Sequence, residues 1–247
     1  MRSLRASRQS EQAARPSLVR QGLRRALATT LPRRLLLVGG PARCGSVCLT
    51  FDDGPHPEHT PRLLDLLAEH RIPATFFVIG ERARKHPELI ERIVDEGHAL
   101  GNHSYSHTEP RHTTARQLLE DVQRADRLLL ELTGRSTTLV RPPHGKVTAA
   151  KLALLWFSGQ TVVLWNRDPK DFRCGSAEQL GDWFRENPPV PGGLVLLHDN
   201  HPHAVLALPS WIDDARRRGL TFATPTDWLS GPPRVTGPLQ TQRVESV

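Results

Sequence analysis

The feature that most constrains this chain is a regular alternation of strand-like and helix-like segments between residues 47 and 224. Short runs of branched and aromatic residues, beginning with Val47–Phe51 and Ala74–Ile79, are each followed by an amphipathic segment. Such alternation predicts a parallel sheet, because each helix returns the chain to start the next strand in the same direction. The seven predicted strands favour a distorted (β/α) barrel of about seven parallel strands over an open doubly wound sheet. No glycine-rich phosphate loop follows the first strand, which argues against nucleotide binding.

Several predicted helices carry clear end signals. Thr60 is predicted to cap a helix over Pro61–His70, because a hydroxyl here can bond a free backbone N–H. The longest helix is predicted over Thr114–Thr133, with Thr114 and Gln117 as a capping box. A later helix is predicted around Pro209–Arg218, with the proline in its first turn.

The ends of the chain differ in composition from this body. Residues 1–43 hold ten arginines and one acidic residue, whereas the remainder holds 23 basic and 25 acidic residues. The formal net charge of +7 therefore belongs to the N-terminal segment, and the body lacks the basic surface that a nucleic-acid-binding domain needs. We divide the chain into a basic, partly disordered arm (residues 1–45), a folded domain (residues 46–230) and a C-terminal tail (residues 231–247).

The arm leaves the cellular location open. It lacks the apolar segment of a secretory signal, and no run in the chain reaches the ~18 apolar residues of a membrane span. Its arginines suit weak contact with anionic lipid, so both the cytoplasm and a membrane surface remain candidates. The three cysteines exclude a disulfide framework, and Cys44 and Cys48 lack the second pair that a structural zinc site needs. We expect a monomer.

Ionisable side chains gather where predicted strands end. Asp52 and Asp53 follow the first strand, and the later strand ends carry His103, His107, Arg141, Asp168, Asp171, His198 and Asp199. The carboxyl ends of parallel strands lie at one mouth of a barrel, where active sites form. Burial of unpaired charge is costly, so packing alone does not account for this set.

These residue types are those of a metal-assisted hydrolase of an amide or ester. The imidazoles of His103 and His107, four residues apart, and one carboxylate are donors that a divalent cation such as zinc takes. A second carboxylate could act as general base with Arg141 beside it, and His198 could act as general acid. No Gly-x-Ser-x-Gly segment is present, which disfavours a serine nucleophile.

Five short motifs occur in order through the folded domain. They are Thr50–Pro55, His103–His107, Arg141–Gly145, Asp168–Phe172 and Leu196–His198. With these motifs the sequence resembles the polysaccharide deacetylases, the NodB-homology group of carbohydrate esterase family four. The resemblance implies a distorted (β/α) barrel that removes acetyl groups by hydrolysis, most often from N-acetylated sugars.

Carried over position by position, the resemblance implies a role for each catalytic residue. Asp52 would be the general base, and Arg141 would orient it. His198 would be the general acid, with an aspartate of the fourth motif, Asp171, as its partner. The implied cofactor is one divalent metal ion, expected to be zinc, with cobalt, nickel and manganese also compatible. Its implied ligands are Asp53, His103 and His107.

The groove around this site departs from the family pattern at two positions. His144 stands where the family commonly has tyrosine, and the resemblance assigns its backbone N–H to the oxyanion. Phe172 stands where tryptophan is common, and it is smaller and lacks the indole N–H. Trp165 supplies either groove surface or barrel core. The other predicted groove or structural residues are Pro143, His56, His201 and His203.

Three functions follow from these observations. The leading one is a metal-dependent deacetylase of an N-acetylated glycan of the chitin-oligomer, peptidoglycan or exopolysaccharide type. The basic arm suggests a deacylase of a lipid-linked sugar at a membrane surface instead. The substitutions at His144 and Phe172 suggest a barrel that binds carbohydrate without turnover. The sequence alone does not distinguish N-acetyl from O-acetyl substrates or identify the glycan and its length.

Overall fold

The computed structural model describes residues 30–41 and 43–230, and within these ranges strands and helices alternate along the chain. The strands are β1 (Leu36–Leu37), β2 (Ser46–Asp52), β3 (Thr75–Val78), β4 (Ala99–Asn102), β5 (Leu139–Val140), β6 (Thr161–Val163), β7 (Leu194–His198) and β8 (Thr221–Phe222). The helices are α1 (His59–His70), α2 (Gly80–Lys85), α3 (Pro87–Asp95), α4 (Ala115–Thr133), α5 (Ala149–Phe157), α6 (Ala177–Glu186), α7 (His203–Arg217) and α8 (Pro225–Ser230). Short 3₁₀ turns cover Pro110–His112, Pro143–Gly145 and Asp171–Arg173.

The sheet is parallel at each of its strand pairs in the described residues, in the order β1-β6-β5-β4-β3-β2-β7, with β8 beside the start of β2. The segment that follows β6 reaches β7 across the remaining gap. There Arg167 pairs with Val195, and the backbone N–H of Leu196 donates to the Arg167 carbonyl at 2.9 Å. The sheet is therefore a strongly curved, distorted barrel, and the predicted fold class is confirmed.

The core forms because helices cover a sheet whose strands are apolar on both faces. All seven residues of β2 are buried, as expected for a central parallel strand. On α4 the buried residues recur at helical spacing and face the sheet. The predicted capping box is present, since the Thr114 side chain accepts from Gln117 N at 3.2 Å and Gln117 Oε1 accepts from Thr114 N at 2.8 Å.

The predicted starts of two helices are wrong. α1 begins at His59, and Thr60 does not cap it but donates its buried hydroxyl to Asp199 Oδ2 at 2.6 Å. α7 begins at His203 rather than near Pro209, which lies inside the helix. The proline is tolerated because buried residues on both sides of it, such as Ala204 and Trp211, continue one packed face.

The first strand lies within the segment that the sequence analysis assigned to the arm. Leu36 and Leu37 pair with β6, and Leu37 is fully buried. The apolar run is so short, and so close to arginines, that periodicity does not reveal it. Most of the predicted arm, residues 1–29, and the predicted tail lie outside the described residues, so their roles stay predictions. No helix in the described part of the chain has both the length and the apolar character needed to cross a bilayer.

Candidate active site

Four strands of the sheet bring the predicted residues together at one mouth of the barrel. β2 ends in Asp52 and β7 ends in His198, and the two residues are paired in register. His103 directly follows β4, and Arg141 directly follows β5. Because all these strands run in the same direction, residues that are up to 146 positions apart in the sequence converge in space.

One carboxylate and two imidazoles at this mouth form a triad with metal-ligand spacing. Asp53 Oδ1 lies 3.5 Å from His103 Nε2 and 3.3 Å from His107 Nε2. Ligand atoms on a tetrahedral zinc ion with bonds of about 2.0–2.1 Å lie about 3.3 Å apart. Asp53 Oδ1 is buried and accepts no hydrogen bond from the described residues, which is the state expected of an oxygen that awaits a cation. These residues fit a divalent metal.

The hydrogen bond on the far side of His103 sets its tautomer. His103 Nδ1 lies 2.6 Å from the Arg141 carbonyl oxygen, which can only accept, so Nδ1 carries the proton. The lone pair of Nε2 therefore faces Asp53, as a metal ligand requires. Burial and the neighbouring His103 lower the pKa of His107 to about 4, which keeps that imidazole neutral. Although burial alone would raise it, the imidazoles hold the pKa of Asp53 below its usual value.

Hydrogen bonds to α4 hold the loop that carries His103 and His107. Asp121 Oδ2 accepts from the backbone N–H of Tyr105 at 3.1 Å and of Ser106 at 3.0 Å. The Ser104 hydroxyl accepts from His107 N at 3.1 Å, and both of these residues have positive φ. Asp121 was not predicted, because an acidic residue in an amphipathic helix resembles any surface position.

Asp52 and Arg141 form a buried ion pair beside the triad. Arg141 Nη1 donates to Asp52 Oδ1 at 2.6 Å and to Thr50 Oγ1 at 2.9 Å. Its other donors bond the backbone carbonyls of Val163 and Leu164, so the guanidinium is fixed from every side although it is fully buried. Burial lowers the pKa of Arg141, and the charge of Asp52 opposes this. The remaining carboxylate oxygen, Asp52 Oδ2, lies 3.7 Å from His103 Nε2.

His198 and Asp171 form the second pair of the site. His198 Nδ1 lies 2.8 Å from Asp171 Oδ1, and the backbone N–H of His198 donates to Asp171 Oδ2 at 2.7 Å. Burial alone would lower the pKa of His198, but the hydrogen bond and charge of Asp171 outweigh it and raise the pKa to about 9. The other aspartate of this motif, Asp168, bonds Trp165 and Lys170 instead.

Asp199 supports the turn that carries Asp53. It is almost fully buried, and burial raises the pKa of this carboxyl to about 7. A Cβ atom at Gly54 would lie 2.1 Å from Asp199 Oδ2, so only glycine fits at that position of the turn. The carboxyl group therefore packs directly against the backbone that follows the triad aspartate.

The predicted groove residues surround the site. The Phe172 ring, half exposed at 51%, meets the His198 ring edge-on at 5.3 Å. The His144 ring lies 5.1 Å from that of His107. Trp165 is half-buried, and its ring lies 5.6 Å from the Arg141 guanidinium, so it supports the buried ion pair. Pro143 is buried in the 3₁₀ turn that carries His144.

His201, predicted to be a groove or structural residue, lies beside the second pair. Its Nε2 atom is 3.3 Å from Asp171 Oδ2. His201 follows β7 by three residues and enters the site from the turn before α7. Its position next to the Leu196–His198 motif is the one sequence signal that could have found it.

Comparison with known proteins gives a consistent set of similarities. The sequence profile of the polysaccharide deacetylase family matches residues 39–163. The chain is 33% identical over 189 residues to a peptidoglycan-N-acetylglucosamine deacetylase of Bacillus cereus, covering 75% of this chain and 68% of that protein. It is 39% identical over 163 residues to a chitooligosaccharide deacetylase of Sinorhizobium fredii, covering 66% of this chain and 75% of that protein. The crystal structure of the Bc1960 peptidoglycan N-acetylglucosamine deacetylase superposes with a TM-score of 0.76 at 31% identity, covering 79% of this chain and 93% of that one.

Proposed function

Because this chain belongs to the polysaccharide deacetylase family, the carbohydrate deacetylases of carbohydrate esterase family four, we propose that it removes acetyl groups from N-acetylated glycans with the help of one divalent metal ion. The observation that carries the proposal is the convergence of three kinds of group at one mouth. A ligand triad, a carboxylate paired with arginine and a histidine paired with aspartate lie together there. Each kind supplies one part of amide hydrolysis.

The proposed ligands are Asp53, His103 and His107, and zinc suits their mixture of one carboxylate and two imidazoles. When bound, a divalent cation supplies Lewis-acid activation of the acetyl carbonyl and of the attacking water. Asp52 accepts the proton of that water, and the hydrogen bond from Arg141 orients the carboxylate for the transfer.

The second pair of residues acts on the leaving group. Hydrolysis breaks the bond between the acetyl carbonyl carbon and the sugar nitrogen, and that nitrogen must gain a proton to leave as an amine. His198 donates this proton, and Asp171 fixes the imidazole and keeps it protonated. The backbone N–H of His144 stabilises the negative charge that develops on the carbonyl oxygen.

The function is tested by acetate release from a panel of acetylated glycans, with metal content measured on the same sample. We expect turnover of N-acetylglucosamine oligomers or peptidoglycan fragments, loss of turnover after chelation, and recovery after addition of Zn²⁺ or another divalent ion. Turnover that survives complete metal removal would contradict the proposal. Saccharide binding without acetate release from any substrate would favour the carbohydrate-binding alternative instead.

The Asp53→Asn variant gives this test a matched control. Asparagine keeps the size of the side chain and tolerates the left-handed backbone at this position, where φ is 71°. It replaces the charged ligand oxygen with a neutral one, so we expect retention of the fold together with weaker metal binding and loss of turnover. Equal metal content in the variant and the wild type would contradict the assignment of Asp53 as a ligand.

The pH dependence of kcat/KM tests the role of His198. The pKa of His198 in the folded protein is raised to about 9, so the acid form is present below that pH and is lost as the pH rises through it. We expect kcat/KM to fall on the basic side near pH 9. In Asp171→Asn the hydrogen bond and charge that raise this pKa are removed, and the basic limb should move to lower pH.

An Asp168→Asn variant controls for general effects of charge in the same loop. Asp168 bonds Trp165 and Lys170 rather than His198, so its loss should leave the basic limb within a few tenths of a pH unit of the wild-type position. If the basic limb of the pH profile moves equally in Asp171→Asn and Asp168→Asn, the group that titrates in this limb is not His198.

A further inference from the structure

We propose that Asp171, His198 and His201 form a second divalent-cation site, and that a cation bound there inhibits the enzyme by occupying its general acid. The three side chains present one ligand atom each within 4.8 Å of the others, as the first triad does. The donor set is again one carboxylate and two imidazoles, so the site takes the same class of cation.

The distances around Asp171 suit such a site. Its two oxygens face different imidazoles, with Oδ1 at 2.8 Å from His198 Nδ1 and Oδ2 at 3.3 Å from His201 Nε2. The separation of Oδ2 and His201 Nε2 matches the roughly 3.3 Å between ligand atoms of a tetrahedral zinc ion, and the His198 nitrogen lies beside the other oxygen of the same carboxylate. The Asp171 side chain is fully buried, which fixes the carboxylate at the base of the site.

The state of His201 is a separate observation that points to a ligand. Both of its ring nitrogens are buried, and neither forms a hydrogen bond of acceptable geometry with the described residues. Buried polar atoms in folded proteins normally have a hydrogen-bond partner. A buried atom without one therefore indicates a ligand that is bound in the working protein. A cation coordinated by Nε2 would give that nitrogen its partner.

The surroundings offer a route for capture of a cation. The His203 ring lies 4.9 Å from the His201 ring, and on the adjacent turn the rings of His56 and His59 stack at 4.3 Å. Imidazole nitrogens at the rim are ligands of the type that the same ions take. His203 is thus the natural comparison for His201, because it is an adjacent imidazole outside the triad.

Occupancy of this site is incompatible with the role of His198 proposed above. Coordination of a cation at His198 Nδ1 releases to solvent the proton that this nitrogen donates to Asp171. The proton left on Nε2 is then that of a neutral imidazole, which is too weak an acid to protonate a departing amine. The cation must break the hydrogen bond between His198 and Asp171, whereas Asp53 Oδ1 of the first triad has no bond to lose. The second site is therefore the weaker one, and inhibition appears only after the first site is filled.

Calorimetric titration of the untagged, metal-free full chain with Zn²⁺, and cobalt absorption spectra with Co²⁺, test the binding step. We expect two equivalents in the wild type. His201→Phe keeps a planar ring but has no nitrogens, and it should weaken the second equivalent by at least about 10–100-fold while it retains the first. His203→Phe should retain both equivalents, and Asp53→Asn should weaken the first instead. A single equivalent in the wild type, or an unchanged second equivalent in His201→Phe, would overturn the proposal.

The inhibition step rests on the proposed function and is measured separately. The readout is the ratio of turnover with excess Zn²⁺ to turnover at one equivalent. In the wild type and His203→Phe we expect this ratio to fall by about 100-fold or more at saturation, the contribution of a general acid, and in His201→Phe to stay near one. If no glycan is deacetylated but the second equivalent depends on His201, the proposed function fails and the site stands. If the second equivalent binds without inhibition, the inhibitory role is wrong.

Discussion

Asp52→Asn is expected to lower kcat/KM for glycan deacetylation by about 10²–10⁴-fold, the usual contribution of a general base. The amide has nearly the same shape as the carboxylate and can still accept the Arg141 hydrogen bond, but it cannot take a proton from water. Acetate release under saturating metal measures the loss. Because Asp52 is not a member of the ligand triad, metal content should stay at the wild-type value.

The control for this variant is Asp65→Asn, which makes the same chemical change at an exposed residue of α1. Asp65 forms a surface ion pair with Arg92 of α3. Surface pairs contribute little, so its activity and stability should match those of the wild type. Activity of Asp52→Asn within about threefold of the wild type would exclude Asp52 as the base. Loss of metal together with activity would instead make Asp52 a ligand.

Arg141→Met is expected to lower the free energy of unfolding by about 3–5 kcal/mol, the typical cost of removing one partner of a buried ion pair. The variant leaves the Asp52 carboxylate buried without its counter-charge. It also removes the donors to the carbonyls of Val163 and Leu164. Urea unfolding followed by circular dichroism measures the change, and turnover should fall because the base loses its orientation.

Two further variants show whether the charge pair itself is responsible. Arg141→Lys keeps the charge but lacks the planar fork that reaches four acceptors, so it should not restore wild-type stability. The double variant Asp52→Asn/Arg141→Met should be less destabilised than the sum of the single changes, by about 0.5–3 kcal/mol, because no unpaired charge remains. Additive losses would mean that the two side chains act independently.

Several elements of the fold could be predicted from local sequence because local chemistry determines them. The capping box of α4 depends on two side chains three residues apart, and both were identified correctly. Thr60 carries the same kind of signal, but its hydroxyl bonds Asp199, 139 residues away, and the helix begins without a side-chain cap. A local pattern fails where a distant buried group offers the stronger hydrogen bond.

The residues of the site were predictable because their types and their places at strand ends are sequence properties. The family resemblance named Asp171 as the partner of His198. The fold places Asp171 Oδ1 2.8 Å from His198 Nδ1, whereas Asp168 bonds Trp165 and Lys170. Asp121, which holds the histidine loop, carries no local mark of its position, and the local signal for His201 is only its place just after the Leu196–His198 motif.

The fold class follows from the amino-acid sequence alone, because the periodicity of strands and helices is encoded residue by residue. The sequence also determined the chemical inventory of the mouth, since the donor types appear in the motifs. Packing of the barrel was needed to establish which nitrogen of His103 faces Asp53, that Asp121 holds the histidine loop, and that Leu36–Leu37 completes the sheet. These outcomes depend on contacts between segments far apart in the chain, whose distances and burial are fixed only when the barrel packs.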